Sequence, residues 1–320
     1  DFIEQVNPEH VAVAFDESLT TSFRTSIYPE YKANREPAPE ELKRQFGQCR
    51  RFVSALGLMN CADPLYEADD LIGTLVEHGR GMGRPSTIVS RDKDLTQLLT
   101  KDDVFWDFAG KGKLGYDHIP EFFGVWPEQI ADFLALAGDS VDNIPGVPGV
   151  GKKTAAALLD HFGSLDDIYA NLDRIHEVQV RGAKTLGAKL DTHRDAAMLA
   201  RRLTGIACDA PIEDPEANLR RSMPDLGAIN ALFDEANIGT ALRRQAEAAI
   251  KTALTPEAPP TPTPIPEPTV DLNEATDLDE ELARLRRLHD REQWSELLPA
   301  VLAMQQQFPN FERLETDRFL

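Results

Sequence analysis

Apolar residues run unbroken from His10 to Asp16, HVAVAFD, and the run ends on a carboxylate. A short, valine-rich stretch of this kind predicts a strand buried in a sheet. Helical periodicity follows in PEELKRQFGQCRRFVSALG, with Pro39 near its start, and the alternation then continues: a helix from about Glu67 to Met82, a strand at STIVS, a helix from about Asp92, and a strand near Val104 to Asp107. Strands alternating with helices predict an α/β fold with a largely parallel, twisted sheet flanked by helices. From 117 to 253 the periodicity is helical throughout, broken by a glycine-rich loop and short turns. The expectation is an α/β core over 1–116, a helical half over 117–253, a linker over 254–270 and a small helical tail over 271–320. The linker follows from seven prolines in TPEAPPTPTPIPEPT, and the tail from leucines at helical spacing such as Leu282, Leu285 and Leu288. No internal repeat stands out.

A chain of 320 residues with 42% hydrophobic content can bury one main body and an appendage. No apolar run approaches the ~18 residues that cross a bilayer and the amino end has no signal-peptide pattern, so the expectation is a cytoplasmic protein without membrane contact. Cys49, Cys61 and Cys208 stand far apart, and the seven histidines show no metal-ligand spacing, which argues against a disulfide framework and a zinc hydrolase. A net charge of −20 would ordinarily argue against nucleic acid. Residues 254–320 contribute −8 of it, from 14 acidic and 6 basic side chains. Residues 1–253 contribute −12, and carboxylates gathered at metal sites would be offset locally by the bound cations.

The acids fall in a pattern. Asp16, the group Glu67, Asp69 and Asp70, and the pair Asp92 and Asp94 lie where strands end or helices begin, the usual ligand crevice of an open α/β sheet. Asp139 and Asp142 can join them from the helical half. Two carboxylates about 5 Å apart repel by roughly 3 kcal/mol at an effective dielectric near 20, so a packed cluster requires cations. An all-oxygen donor set favours Mg²⁺ or Mn²⁺, and two such ions suit phosphodiester hydrolysis. Each piece alone has a plainer reading as a helix cap or a dipole partner; the metal reading rests on their co-occurrence.

GVPGVGKK, from Gly146 to Lys153, comes close to the nucleotide-binding pattern of glycine, four residues, glycine, lysine, then serine or threonine. Lys153 stands where the hydroxyl belongs, Thr154 comes one position late, and the preceding FLALAGDSVD reads as helix rather than strand. The better reading is a helix, a glycine hairpin and a second helix whose first N–H groups meet a DNA phosphate, over Gly146, Val147, Gly149, Val150, Gly151, Lys152, Lys153 and Thr154.

The motifs AVAFDES, FRTSIYPEYKANR, YEADDLIGTL, IVSRDKDLTQLL, GVWPEQIADFLALAGDSVDNIPGVPGVGKKTAAALL and FGSLDDIY, in this order, resemble the 5′ nuclease, or flap endonuclease, family in the form found in bacterial DNA polymerase I. The match runs from about Val6 to Ile250. The resemblance implies a PIN-like nuclease core with a helix-hairpin-helix half. It also implies a metal-dependent 5′-3′ exonuclease or flap endonuclease acting at 5′ flaps, nicks, single-strand to double-strand junctions and RNA primers in replication and repair. By position, Asp16, Glu67, Asp69, Asp70 and Asp92 resemble one metal group, and Asp94, Asp139 and Asp142 the second. Lys32, Arg35 and Arg24 resemble the basic catalytic residues of a helical arch around 17–38. A potassium ion at the carbonyls around Val147 to Val150 is also implied.

The family opens with an apolar strand ending in an aspartate, whereas this chain begins at Asp1 without one. Two expectations follow: a fragment of a longer protein, or a chain lacking one ligand and a central strand, which would favour a non-catalytic DNA-junction binder. No polymerase fits in the residues after 253, so the further expectation is a free-standing, monomeric nuclease whose tail docks a replication or repair protein. An ATPase built on Lys152 is the remote alternative.

Overall fold

The computed structural model describes residues 2–17, 21–108 and 112–254, so the linker and tail expectations lie outside the described residues. By contacts the chain divides into a unit Asp1–Pro259 and a unit Pro260–Leu320. The first unit opens with a short helix α1 (Phe2–Val6) and strand β1 (Ala12–Ala14), then α2 (Phe23–Ile27), α3 (Glu40–Ala55), β2 (Met59–Cys61) and α4 (Ala68–Gly81). Strands β3 (Thr87–Val89), β4 (Val104–Asp107) and β5 (Gly112–Gly115) follow, with a 3₁₀ turn at Lys93–Leu98 between the first two.

Parallel pairing predominates, as expected, but among the described residues the strands form two sheets rather than one. Strands β1 and β2 pair in parallel, with Val13 opposite Asn60, while β3, β4 and β5 form a separate three-stranded sheet. Within it β3 and β4 are parallel, and β4 and β5 form an antiparallel hairpin with Phe105 opposite Leu114. Two of these strands have weak sequence signals: β2 is only three residues, MNC, and β5, GKLG, has glycines at both ends and no apolar alternation. The helix expected from Asp92 is a 3₁₀ turn, started by the Asp92 side chain, which accepts from the Asp94 N–H.

The helical half comprises α5 (Ile119–Phe123), α6 (Ile130–Ala137), α7 (Lys152–Phe162), α8 (Leu165–Ala170), α9 (Ala183–Thr192), α10 (Arg194–Thr204), α11 (Pro215–Leu219), α12 (Leu226–Glu235) and α13 (Thr240–Leu254). One core joins both halves. Ile88, Leu95 and Phe105 from the sheet region belong to the same buried cluster as Ile130, Phe133, Leu136, Leu158 and Leu159. Each such side chain contributes about 1.5–3 kcal/mol on burial, so the two halves stabilise one another as a single folding unit. No described helix is long and apolar enough to cross a membrane.

Candidate active site

The loops at the carboxyl ends of β1 and β3 carry the first acids. Asp16 follows β1, and its Oδ1 accepts from the Ala68 N–H at 2.8 Å, at the first turn of α4. Glu67 is the N-cap of α4 and Asp69 lies in its first turn, where the free N–H groups and the helix dipole favour negative charge. Asp92 and Asp94 follow β3. The remaining pair comes from the helical half: Asp139 and Asp142 lie in a turn after α6, closed by mutual bonds between the backbones of Asp139 and Ile144.

Electrostatics tie these groups together. Burial pushes the Asp69 carboxyl up to about 7, with the charges of Asp92 and Asp16 adding to the rise. Burial likewise pushes Asp94 up to about 7, with Asp92, Asp139 and Asp142 contributing. Asp92 therefore acts on both groups of acids. Among the described residues, no three histidine, cysteine, aspartate or glutamate side chains form a preassembled metal-ligand group. Asp16 and Asp92 are exposed and Asp69, Asp94, Asp139 and Asp142 half-buried, so solvent reaches these acids. An oxygen-only, anionic site fits a hard divalent cation that retains several waters.

Two cations answer part of this charge. Lys32 Nζ lies 2.6 Å from Glu67 Oε2 and 3.7 Å from Asp142 Oδ2. Arg35 pairs with Asp142 Oδ1. The backbone prepares this meeting: Lys32 has a left-handed φ of 53°, and its N–H donates to the Asp142 carbonyl at 3.0 Å. Asn143 Nδ2 donates to the Glu30 carbonyl at 2.7 Å, and Asn34 Nδ2 to the Ser140 carbonyl at 3.1 Å. The segment expected as a helical arch around 17–38 is, over residues 28–35, fastened to the Asp139–Asn143 turn.

Tyr31 is a site residue missed by the sequence reading. Its hydroxyl lies 3.1 Å from Glu67 Oε2 and 3.2 Å from Asp142 Oδ2, so one phenol joins the two acid groups. Burial, then the charges of Glu67 and Asp142, hold it far above the ordinary phenol range, and it remains a donor. The available signal was its place beside Lys32 in YKANR.

Two expected site residues are corrected. Arg24 is 3% exposed and Asp70 is 0% exposed, and they form a bidentate pair at 2.6 and 2.7 Å. Asp70 Oδ1 also accepts from the Ala207 N–H and Oδ2 from the Glu67 N–H, so each oxygen has two donors and neither faces a metal. Arg24 spends its remaining donors on the carbonyls of Leu203 and Gly205. Such a sealed pair cannot meet a substrate; it fastens α2 and α4 to the chain after α10.

The glycine hairpin joins α6 to α7. A Cβ on Gly146 would lie 2.3 Å from the Gly138 nitrogen, so backbone packs on backbone and only glycine fits. Val147 and Val150 are buried as anchors, the Val147 N–H donates to the Leu136 carbonyl at 2.9 Å, and Gly149 turns the chain with a φ of 83°. Gly151 is the N-cap of α7, and Lys152 and Lys153 project into solvent, with Thr154 half-buried in the same first turn. A helix rather than a strand precedes this loop, so it lacks the strand-to-helix setting of a nucleotide-binding P-loop.

Residues 1–121 match the family described as 5'-3' exonuclease, N-terminal resolvase-like domain, and residues 125–227 match 5'-3' exonuclease, C-terminal SAM fold. Relatives include DNA polymerase I of Pseudomonas aeruginosa, 43% identical over 70% of this chain and 24% of the relative. DNA polymerase I of Bacillus subtilis is 37% identical over 77% of this chain and 28% of the relative. The chain thus spans about a quarter of the length of these relatives. A structure of T5 5'-exonuclease with bound divalent metal ions (zinc) shares the fold at a TM-score of 0.54 and 20% identity, over 79% of this chain and 87% of that one. With both halves of the fold matched, the chain belongs to the 5'-3' exonuclease family.

Proposed function

We propose that this protein is a metal-dependent, structure-selective 5′-3′ exonuclease or flap endonuclease that hydrolyses DNA phosphodiesters near 5′ ends. One observation carries the reading: the Glu67 side of the cleft and the Asp142 side meet at Tyr31 and Lys32, so acids from both halves of the chain face one place with cations among them. Asp16, Glu67, Asp69 and Asp92 would hold one divalent ion, and Asp94, Asp139 and Asp142 a second. Divalent cations bound there supply Lewis-acid charge to a phosphodiester, and Mg²⁺ or Mn²⁺ suits the all-oxygen donors.

The chain's own groups do the rest. Lys32 and Arg35 are the cations beside these acids, and an incoming phosphate gives their charges a second partner. Tyr31 keeps Glu67 and Asp142 oriented while they wait. The hairpin's first α7 N–H groups, with Lys152 and Lys153, grip the sugar-phosphate backbone without reading sequence, and the carbonyls around Val147 to Val150 are candidates for a potassium ion. The substrates are 5′ flaps, nicks and junctions, including primer remnants, processed by a monomer in the cytoplasm. A partner docked by residues 271–320 belongs to the same proposal.

The test is cleavage of a 5′-labelled flap duplex with Mg²⁺ and with EDTA. Wild type cleaves only with metal, and Asp142→Ala loses turnover while keeping flap affinity. Junction binding without cleavage in either Mg²⁺ or Mn²⁺ would replace this proposal with a binding function.

A further inference from the structure

The thirteen-residue segment that leads into α7 recurs. Val147 to Leu159 and Val178 to Leu190 share the pattern V-x-x-x-G-x-K-T-x-x-A-x-L, an internal repeat that the periodicity had hidden. Gly151 caps the first helix and Gly182 the second, Thr154 and Thr185 donate back to those glycines' carbonyls, and Leu159 and Leu190 are both 0% exposed. The copies differ at the position before the last leucine. There α7 has Leu158, fully buried in the core, and α9 has Lys189, exposed.

Lys189 reaches back to the first copy. A Cβ built on Gly149 would lie 3.1 Å from Lys189 Nζ, so the ammonium stands over the glycine turn from which Lys152 and Lys153 follow. Among the described residues the Lys189 ammonium has no carboxylate partner and no hydrogen bond, and the Lys153 ammonium likewise has no ion pair. An ammonium beside a backbone turn with no counter-ion of its own can recruit one from a polyanion. The lack of a side chain at Gly149 leaves the room for it.

We infer that Lys189 is a third phosphate-binding cation of the glycine hairpin, contacting the same duplex as Lys152 and Lys153. This inference rests on the hairpin's role in DNA binding proposed above. It makes α9 part of the duplex-holding surface and gives the internal repeat a division of labour: one copy presents the turn, and the other supplies a cation to it.

The experiment is fluorescence anisotropy of a labelled 5′-flap duplex, titrated with the full chain in EDTA across a KCl series, for wild type, Lys189→Gln, Lys189→Arg and Lys153→Gln. Each lost phosphate contact lowers the slope of log affinity against log salt by about 0.9. Lys189→Gln is expected to show that loss, with affinity several-fold weaker at low salt, and Lys189→Arg to retain the wild-type slope. With Mg²⁺ restored, Lys189→Gln raises KM and leaves kcat unchanged, and its thermal melt matches wild type. An unchanged slope in Lys189→Gln, with a reduced one in Lys153→Gln, overturns the role of Lys189 alone. Unchanged slopes in both overturn it together with the hairpin's proposed role.

Discussion

Two clusters of opposite charge flank the first turn of α4, built from residues only three apart in sequence. On one side Arg24 and Asp70 are sealed, every oxygen of Asp70 receives two donors, and the pair holds three chain segments together. On the other, Lys32, Glu67 and the phenol of Tyr31 are largely buried, but Arg35 and Asp142 beside them reach solvent, their side chains 37% and 20% exposed. The first cluster is satisfied and closed to solvent. The second sets two cations against two carboxylates, and the acids beside it, Asp69 and Asp94, are left without a cation of their own among the described residues and pushed up to about 7. Complete pairing makes a scaffold, and incomplete pairing in reach of solvent leaves charge for a ligand.

The largest expected effect breaks the sealed cluster. Arg24→Ala leaves a carboxylate buried without its partner, which costs about 3–5 kcal/mol, so its urea midpoint should fall steeply. Arg35→Met makes the opposite separation. Its side chain is 37% exposed, so the melting temperature should move little while flap turnover falls about a hundredfold, the scale for removing one preorganised donor from developing charge. Similar losses of stability in both variants would abolish the distinction between the clusters.

A pH series sharpens the comparison further. A folded carboxyl raised to about 7, as in Asp94, binds its proton more tightly than the unfolded chain does. Its stabilising contribution is therefore full below the ordinary carboxylate range and lost as pH rises through about 7. In chelator, the melting temperature of wild type relative to Asp94→Asn should decline between pH 4 and 7; a flat difference would contradict the burial and crowding of this group. The smallest effect is expected from Tyr31→Phe, which removes one donor shared by Glu67 and Asp142 and should cost about 0.5–1.5 kcal/mol in the denaturant midpoint.

Much of this arrangement was legible along the chain. The helix over 67–82 appears as α4, the valine-rich run at His10–Asp16 carries β1, and TIV and VFWD form β3 and β4. These signals are local: periodicity and β-branching act within a few residues. The short strands β2 and β5 lacked such signals, because MNC and GKLG are held in place by their partners rather than by their own composition.

The same division runs through the site. Residue type alone limited the cleft to oxygen ligands, and Gly146, Gly149 and Gly151 marked a tight turn before a helix, since only glycine fits backbone packed on backbone. Adjacent acids look alike in YEADD, yet Glu67 faces the cleft cations and Asp70 is locked to Arg24, 46 residues away. Lys189 differs from Leu158 in the repeat, but its position over Gly149 depends on how α9 packs beside the hairpin. Local backbone preferences and donor chemistry were determined by the sequence itself. Which charges are neutralised by one another, and which remain for a ligand, was decided only by tertiary structure, because burial and pairing depend on contacts between segments far apart in the chain.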